Sequence, residues 1–204
     1  MFASPGAIAV QLGPLTVRWY GILTAAAIVV ALWLVDRRAR AEGLLADDIA
    51  GCATWAVLTG YVGARLYEVV FNWDYYGNHW AKIPAVWEGG LAIHGGIIVG
   101  GLVGAGLAAR RGLPVLRTLD IVAPSVAIAQ AIGRWGNFFN EEAFGGPTDL
   151  PWKLYISPAR RPLEYRSAEY FHPAFLYESL WDLAVFVALV GWLRPRWRDR
   201  PGAL

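Results

Sequence analysis

The sequence predicts an all-α fold, a polytopic membrane helix bundle with about five spans and a short outer loop region. Hydrophobic residues make up 56% of the 204-residue chain and charged residues only 17%, a balance unlike that of a soluble domain. Several apolar runs approach the roughly 20 residues a helix needs to cross about 30 Å of hydrocarbon. Eleven tryptophans suit a protein with two membrane interfaces, where amphipathic rings settle at headgroup depth. The formal charge of +2 carries no nucleic-acid signature, because the cations sit in flanking clusters rather than along one face.

Apolar runs place the spans near residues 19–35, 49–70, 91–109, 119–139 and 173–193. The first is not a cleavable signal peptide, since Arg37, Arg38 and Arg40 follow its apolar run, whereas a signal peptide carries its positive charge in front. These arginines, then Arg110, Arg111 and Arg117, then Arg194, Arg196, Arg198 and Arg200 fall on one face of successive spans. The positive-inside rule makes that face cytoplasmic and the N-terminus external. Residues 141–172 then form the longest polar stretch on the outer side, suited to cap a site that opens outward. Gly96, Gly100 and Gly104 in the third span repeat every four residues, a spacing for close helix contact in lipid. The lone Cys52 has no disulfide partner within the chain and reads as small core packing. The whole of 1–204 is read as one integral membrane domain, with no internal repeat.

The chemistry concentrates in Gly133-Arg134-Trp135-Gly136-Asn137-Phe138-Phe139-Asn140-Glu141-Glu142, at the end of the fourth apolar run. Arg134, Asn137 and Asn140 recur every three residues and form one polar stripe on a helix. An arginine there costs a few kcal/mol unless it meets a partner, a cavity or an anion. Two readings fit it: an interfacial arginine that snorkels, or a pocket for a phosphate-bearing lipid. His94 stands at the outer start of the third span between Gly89-Gly90 and Gly95-Gly96, which let another backbone or a lipid approach its imidazole. Arg65 and Glu68, one turn apart in the second span, suit an internally neutralised pair or a substrate contact. Glu178 and Asp182 share a helix face and offer counter-ions to Arg134 or Arg65. Tyr20 opens the first span as a belt residue or a site residue. No metal is indicated, because His79, His94 and His172 lack ligand spacing and the thiol is elsewhere.

These motifs, in this order, resemble the bacterial prolipoprotein diacylglyceryl transferase family: Gly13-Pro14 with Trp19-Tyr20-Gly21, Gly63-Ala64-Arg65, His94-Gly95-Gly96, the Arg134 block with Glu142 and Gly145, and His172-Pro173 with Leu176-Tyr177-Glu178. The resemblance runs from about residue 10 to the C-terminus. It implies an enzyme of the bacterial cytoplasmic membrane that moves diacylglyceryl from phosphatidylglycerol to the lipobox cysteine of a prolipoprotein and releases glycerol phosphate. No cofactor and no nucleic acid are implied; the partners are phosphatidylglycerol, the prolipoprotein and membrane lipid. By resemblance, His94 is the candidate base for the thiol and Arg134 the phosphate group's partner; a second arrangement has Arg134 only hold the lipid while water or a carboxylate takes the proton. Tyr20, Arg65, Asn137, Asn140, Glu142 and Gly145 then line the substrate site, facing the outer leaflet, and Gly95, Gly96, His172, Tyr177 and Glu178 support it. Family members continue into a further membrane helix with another arginine and a glutamate, so the resemblance also implies a chain truncated after Leu204. The rival readings are a non-catalytic anionic-lipid-binding fragment or remnant of that family and, last, a channel or transporter.

Overall fold

A computed structural model describes residues 1–86 and 89–204. Its short strands are β1 (Phe2–Ala3), β2 (Ile8–Leu12) and β3 (Leu15–Arg18), followed by the helices α1 (Trp19–Ala41), α2 (Ala46–Phe71), α3 (Trp73–Tyr76), α4 (Ile93–Arg110) and α5 (Val115–Asn140). After α5 come β4 (Leu154–Tyr155), β5 (Tyr170–Phe171) and α6 (Ala174–Val187), which continues as a π-helical segment over Ala188–Leu193 into α7 (Arg194–Trp197). The expected helices are therefore all present. The run at 19–35 extends to Ala41, because Arg40 pairs with Asp36 one turn back (2.9 Å) and carries the helix into its polar flank.

Two expectations are corrected. Among the described residues four helices, against the about five spans expected, are long and apolar enough to cross a membrane: Trp19–Ala41, Ile93–Arg110, Val115–Asn140 and Ala174–Trp197. Helix α2 has the length, 26 residues, but its glycines, threonines, tyrosines and Arg65 lower its hydropathy. The glycines and Arg65 serve packing instead, as shown below. The expected loop region is also more than loop. Strand β1 pairs in parallel with β4, which pairs antiparallel with β5, and β2–β3 form a hairpin turned at Gly13, whose φ of +59° suits glycine.

The chain divides into two compact units. The first holds Met1–Trp33, Ala123–Arg200 and Leu204. Its core gathers Leu154, Ile156, Phe171 and Phe175, with Phe138 and Phe144 packed on them, so the segment between α5 and α6 is pinned by burial of its own apolar residues. The α-amino group of Met1 donates to the Pro151 carbonyl (3.0 Å) and Ser4 Oγ to that of Phe139 (3.1 Å), fastening the N-terminal residues to that segment and to the end of α5.

The second unit holds Leu34–Val122 together with Pro201–Ala203. Val35, Ala39, Ile49, Cys52, Ala108 and Ile121 form its core, which fits the packing role expected for Cys52. Here α2 and α4 approach backbone to backbone. A methyl group added at Gly100 would stand 2.6 Å from the Ala56 carbonyl oxygen, and one at Gly60 would stand 3.0 Å from that of Gly96. Hydrocarbon offers no hydrophobic gain for such contact, so van der Waals fit between small residues drives it. Elsewhere large side chains such as Val29, Leu102 and Trp181 are exposed, as lipid-facing surfaces require.

The packing predicts a contrast between two neighbouring glycines. Gly100→Ala should destabilise the detergent-solubilised protein by about 1–3 kcal/mol through overpacking, while Gly101→Ala, with nothing within 4 Å of the added carbon, should not. Thermal unfolding followed by circular dichroism compares them; equal stability would mean that the α2–α4 contact is not tight.

Candidate active site

In the first unit, α5 carries Arg134, Asn137 and Asn140 in its last two turns, as the three-residue spacing predicts. Arg134 Nε stands 2.5 Å from Glu178 Oε2 of α6, an ion pair without the alignment of a hydrogen bond. Glu178 is thus the counter-ion that the sequence offered as one of two choices. Among the described residues, the terminal amines of Arg134 donate no hydrogen bond, which leaves them for an incoming anion. Arg134 and Glu178 line a cavity of about 490 Å³ with Gln130, Tyr177, Trp181 and Asp182. Gln130 and Trp181 had not been singled out; Gln130 lies one turn before Arg134 on the same face, a signal that continuing the polar stripe backwards would have found.

The two asparagines converge on one carboxylate. Asn137 Nδ2 and Asn140 Nδ2 each donate to Glu142 Oε1 at 3.1 Å, and the Glu142 backbone N–H donates to the Asn137 carbonyl at 3.0 Å. Asn140 Oδ1 is buried without a partner. Glu142 therefore fixes both amides at the end of α5. A neighbour missed by sequence reasoning supports the turn: Glu141, at φ +52°, accepts from the Ser157 backbone N–H (3.2 Å) and from its hydroxyl.

Tyr20 lies against the same helix. A methyl group on Gly136 would fall 2.6 Å from Tyr20 Cδ2, and Trp19 stacks on Phe139 with centroids 4.8 Å apart. The glycine of the Arg134 block is the space into which the tyrosine ring fits. From α6, Trp135 Nε1 is met by Ser179 Oγ (3.2 Å), which itself donates to the Ala131 carbonyl (2.8 Å) and ties α6 to α5. Gly145 donates its N–H to the His172 carbonyl (3.0 Å), and a methyl there would stand 2.9 Å from His172 Cβ. His172 Nδ1 lies 3.1 Å from Tyr177 Oη, which also accepts from Trp152 Nε1 (2.8 Å). Tyr20, Asn137, Asn140, Glu142, Gly145, His172, Tyr177 and Glu178 thus belong, with Arg134, to one unit.

The second unit holds His94, Gly95, Gly96 and Arg65. His94 begins α4 with its side chain exposed and its ring stacked on Tyr67, centroids 5.9 Å apart. Gly95 and Gly96 pack on Gly63 and Gly60 of α2, so their role is helix contact. The expected Arg65–Glu68 pair does not form. Arg65 is buried among backbone carbonyls, and Glu68 accepts from Asn72 Nδ2 (3.0 Å). Among the described residues no group of three metal-ligating side chains comes together.

The family model of prolipoprotein diacylglyceryl transferase matches residues 7–204. The chain belongs to that family. A phosphatidylglycerol–prolipoprotein diacylglyceryl transferase of Synechococcus elongatus is 50% identical over 98% of this chain and 69% of its own length. The protein of the same name from Parasynechococcus marenigrum is 52% identical over 98% of this chain and 72% of its own. That of Thermosynechococcus vestitus is 48% identical over the full chain and 75% of its own length. Membership of this transferase family and four apolar helices make the chain a helical membrane protein.

The Glu141 contacts generate a local prediction. Glu141→Ala leaves the Ser157 N–H without its acceptor, a loss of about 1–3 kcal/mol, so exchange at that amide should quicken roughly 5- to 150-fold. Hydrogen-exchange mass spectrometry of the peptide around Ser157 measures it; parent-like protection would show that Glu141 does not hold the segment.

Proposed function

We propose that the chain transfers the diacylglyceryl group of phosphatidylglycerol to the lipobox cysteine thiol of a prolipoprotein, with release of glycerol phosphate. The family match over residues 7–204 carries this reading. In the reaction the thiolate sulfur attacks the glycerol carbon, the carbon–oxygen bond to phosphate breaks, and its electrons leave on the phosphate oxygen. A thioether forms. Thiols attack as thiolates, so a base must take the proton, and general-base help of this kind is worth about 10²–10⁴-fold.

His94 is assigned that proton. Its support is an exposed imidazole at the first turn of α4, oriented by Tyr67 and by the glycine-packed contact with α2. Arg134 is assigned the phosphate. Its support is a guanidinium held through Nε by Glu178 in a cavity, with its terminal amines uncommitted among the described residues. A planar fork suits two phosphate oxygens and stabilises the charge that develops as the bond breaks. Asn137, Asn140 and Glu142 orient the headgroup, and Tyr20 stands near the reacting glycerol. His172 and Tyr177 support this wall with Gly145. The reading sets the N-terminus outside, the arginine-rich loops in the cytoplasm and the site toward the outer leaflet of a bacterial cytoplasmic membrane.

Two measurements test it. Transfer of labelled lipid to a lipobox peptide should fall by about 10²-fold or more in His94→Gln and stay near the parent's in Cys52→Ser, because Cys52 is buried packing. Full activity in His94→Gln would remove the histidine from the mechanism. Native mass spectrometry across headgroups should show phosphatidylglycerol retained over a zwitterionic lipid, and the preference lost in Arg134→Ala, since the net anion carries no competing ammonium group. Lipid preference without transfer in the parent would favour a binding remnant over an enzyme.

A further inference from the structure

Arg65 offers no free donor. A guanidinium has five N–H groups and no acceptor. Nε donates to the Ile83 carbonyl (2.8 Å), Nη1 to those of Gly89 and Gly90 (both 2.7 Å), and Nη2 to those of Lys82 and Ala85 (2.5 and 3.4 Å). Every donor is matched to a backbone carbonyl. The group is 6% exposed, and its planar cation lies over the Tyr76 ring with its carbon 5.0 Å from the centroid. An arginine so occupied has nothing left to give a phosphate, which argues against the substrate contact that the sequence allowed it.

The carbonyls it gathers belong to the stretch that leads into α4. Gly89 and Gly90 take φ of +96° and +74°, a left-handed region that only glycine adopts freely. A methyl group on Gly90 would stand 2.5 Å from Arg65 Nη1 and 2.9 Å from Tyr76 Oη, so the backbone wraps the cation as closely as a residue without a side chain permits. One residue along α2, the Ala64 carbonyl accepts from the Ala92 N–H (3.1 Å), the residue before α4 begins. His94 is the second residue of α4 and rests on Tyr67, two residues beyond Arg65.

We propose that Arg65 is a positioning residue: a five-carbonyl clamp, closed by Gly90 and Tyr76, that sets the start of α4 and hence the place and orientation of the His94 imidazole. The proposal deepens the function proposed above, since it rests on His94 as the proton acceptor. Lysine keeps the charge at position 65 but has three donors on one nitrogen and no plane, so it cannot span carbonyls spread from Lys82 to Gly90. A misplacement on the order of 1 Å at a reacting group costs up to about 10²-fold in rate.

Arg65→Lys and Gly90→Ala test the clamp from its two sides, the second by crowding Arg65 Nη1 while removing no charge and no donor. In the full chain in lipid nanodiscs, each should shift the His94 ring resonances, assigned by their loss in His94→Gln on histidine-labelled protein, because its stacking on Tyr67 changes. Each should also lower kcat about 10- to 100-fold while KM for phosphatidylglycerol stays within about twofold, as for a group off the substrate. If Arg65→Lys raises KM tenfold or more with the His94 resonances unmoved, Arg65 is a substrate contact and the proposal falls. Unchanged resonances and kcat in Gly90→Ala overturn it as well. Should Arg65→Lys fail to fold, Gly90→Ala decides alone. The resonances report without turnover, so a chain that transfers no lipid would sink the proposed function while still testing the clamp.

Discussion

A guanidinium inside an apolar helix must be given partners, and the fold answers that constraint in two opposite ways. Arg65 is satisfied to the last N–H by neutral carbonyls, buried and closed off by Tyr76. Arg134 meets one carboxylate, at one nitrogen, in an open cavity. Backbone dipoles spread the charge of Arg65 over a loop and make it a structural member. A single ion pair leaves Arg134 most of its hydrogen-bonding capacity, which is what a site for an anion requires. The same residue type therefore acts as scaffold in one unit and as candidate ligand group in the other, and satisfaction of donors tells them apart.

The glycines follow from the same need. A clamp built of carbonyls demands that the backbone approach α2 closely, and Gly89 and Gly90 supply the left-handed φ at that approach. Close approach continues down the helices, where Gly60 and Gly63 of α2 face Gly95, Gly96 and Gly100 of α4. Each larger residue there would push α4 away, and His94 sits on its first turn. The helix contact and the clamp are thus two fixings of one element, at its side and at its beginning.

Much of this was legible in the sequence. The helices follow from apolar run length, and the Arg134 stripe from a spacing of three residues that a helix puts on one face. The choice of Glu178 as counter-ion was narrowed to one helix but not decided, because Glu178 and Asp182 share a face and only packing of α6 on α5 selects between them. Arg65 was misread for a definite reason. Sequence lists side-chain partners, and Glu68 one turn away is the obvious one, but the actual acceptors are main-chain carbonyls that every residue has and no sequence pattern marks. The strands were missed likewise. Segments of two residues, as in β1, β4 and β5, carry no periodicity, and the β1–β4 pairing joins residues some 150 positions apart along the chain.

Several buried polar atoms without hydrogen-bond partners lie around the Arg134 cavity. Arg134 Nε, Glu178 Oε2 and Asp182 Oδ2 are buried without hydrogen-bond partners, and all three belong to residues lining one cavity; Asn140 Oδ1 is in the same state on the same helix end. Buried polar groups are paired in most native structures, so a cluster of exceptions needs a cause. A cluster that mixes a cation, carboxylates and an amide acceptor is suited to a ligand that both accepts and donates, as a phosphate bearing a glycerol with free hydroxyls does. Phosphate oxygens would complete the arginine, and the hydroxyls would reach the acceptors, whereas a simple anion would satisfy the first and leave the second. On the function proposed above, selectivity for a glycerol headgroup would rest as much on the acceptors around Arg134 as on the arginine itself.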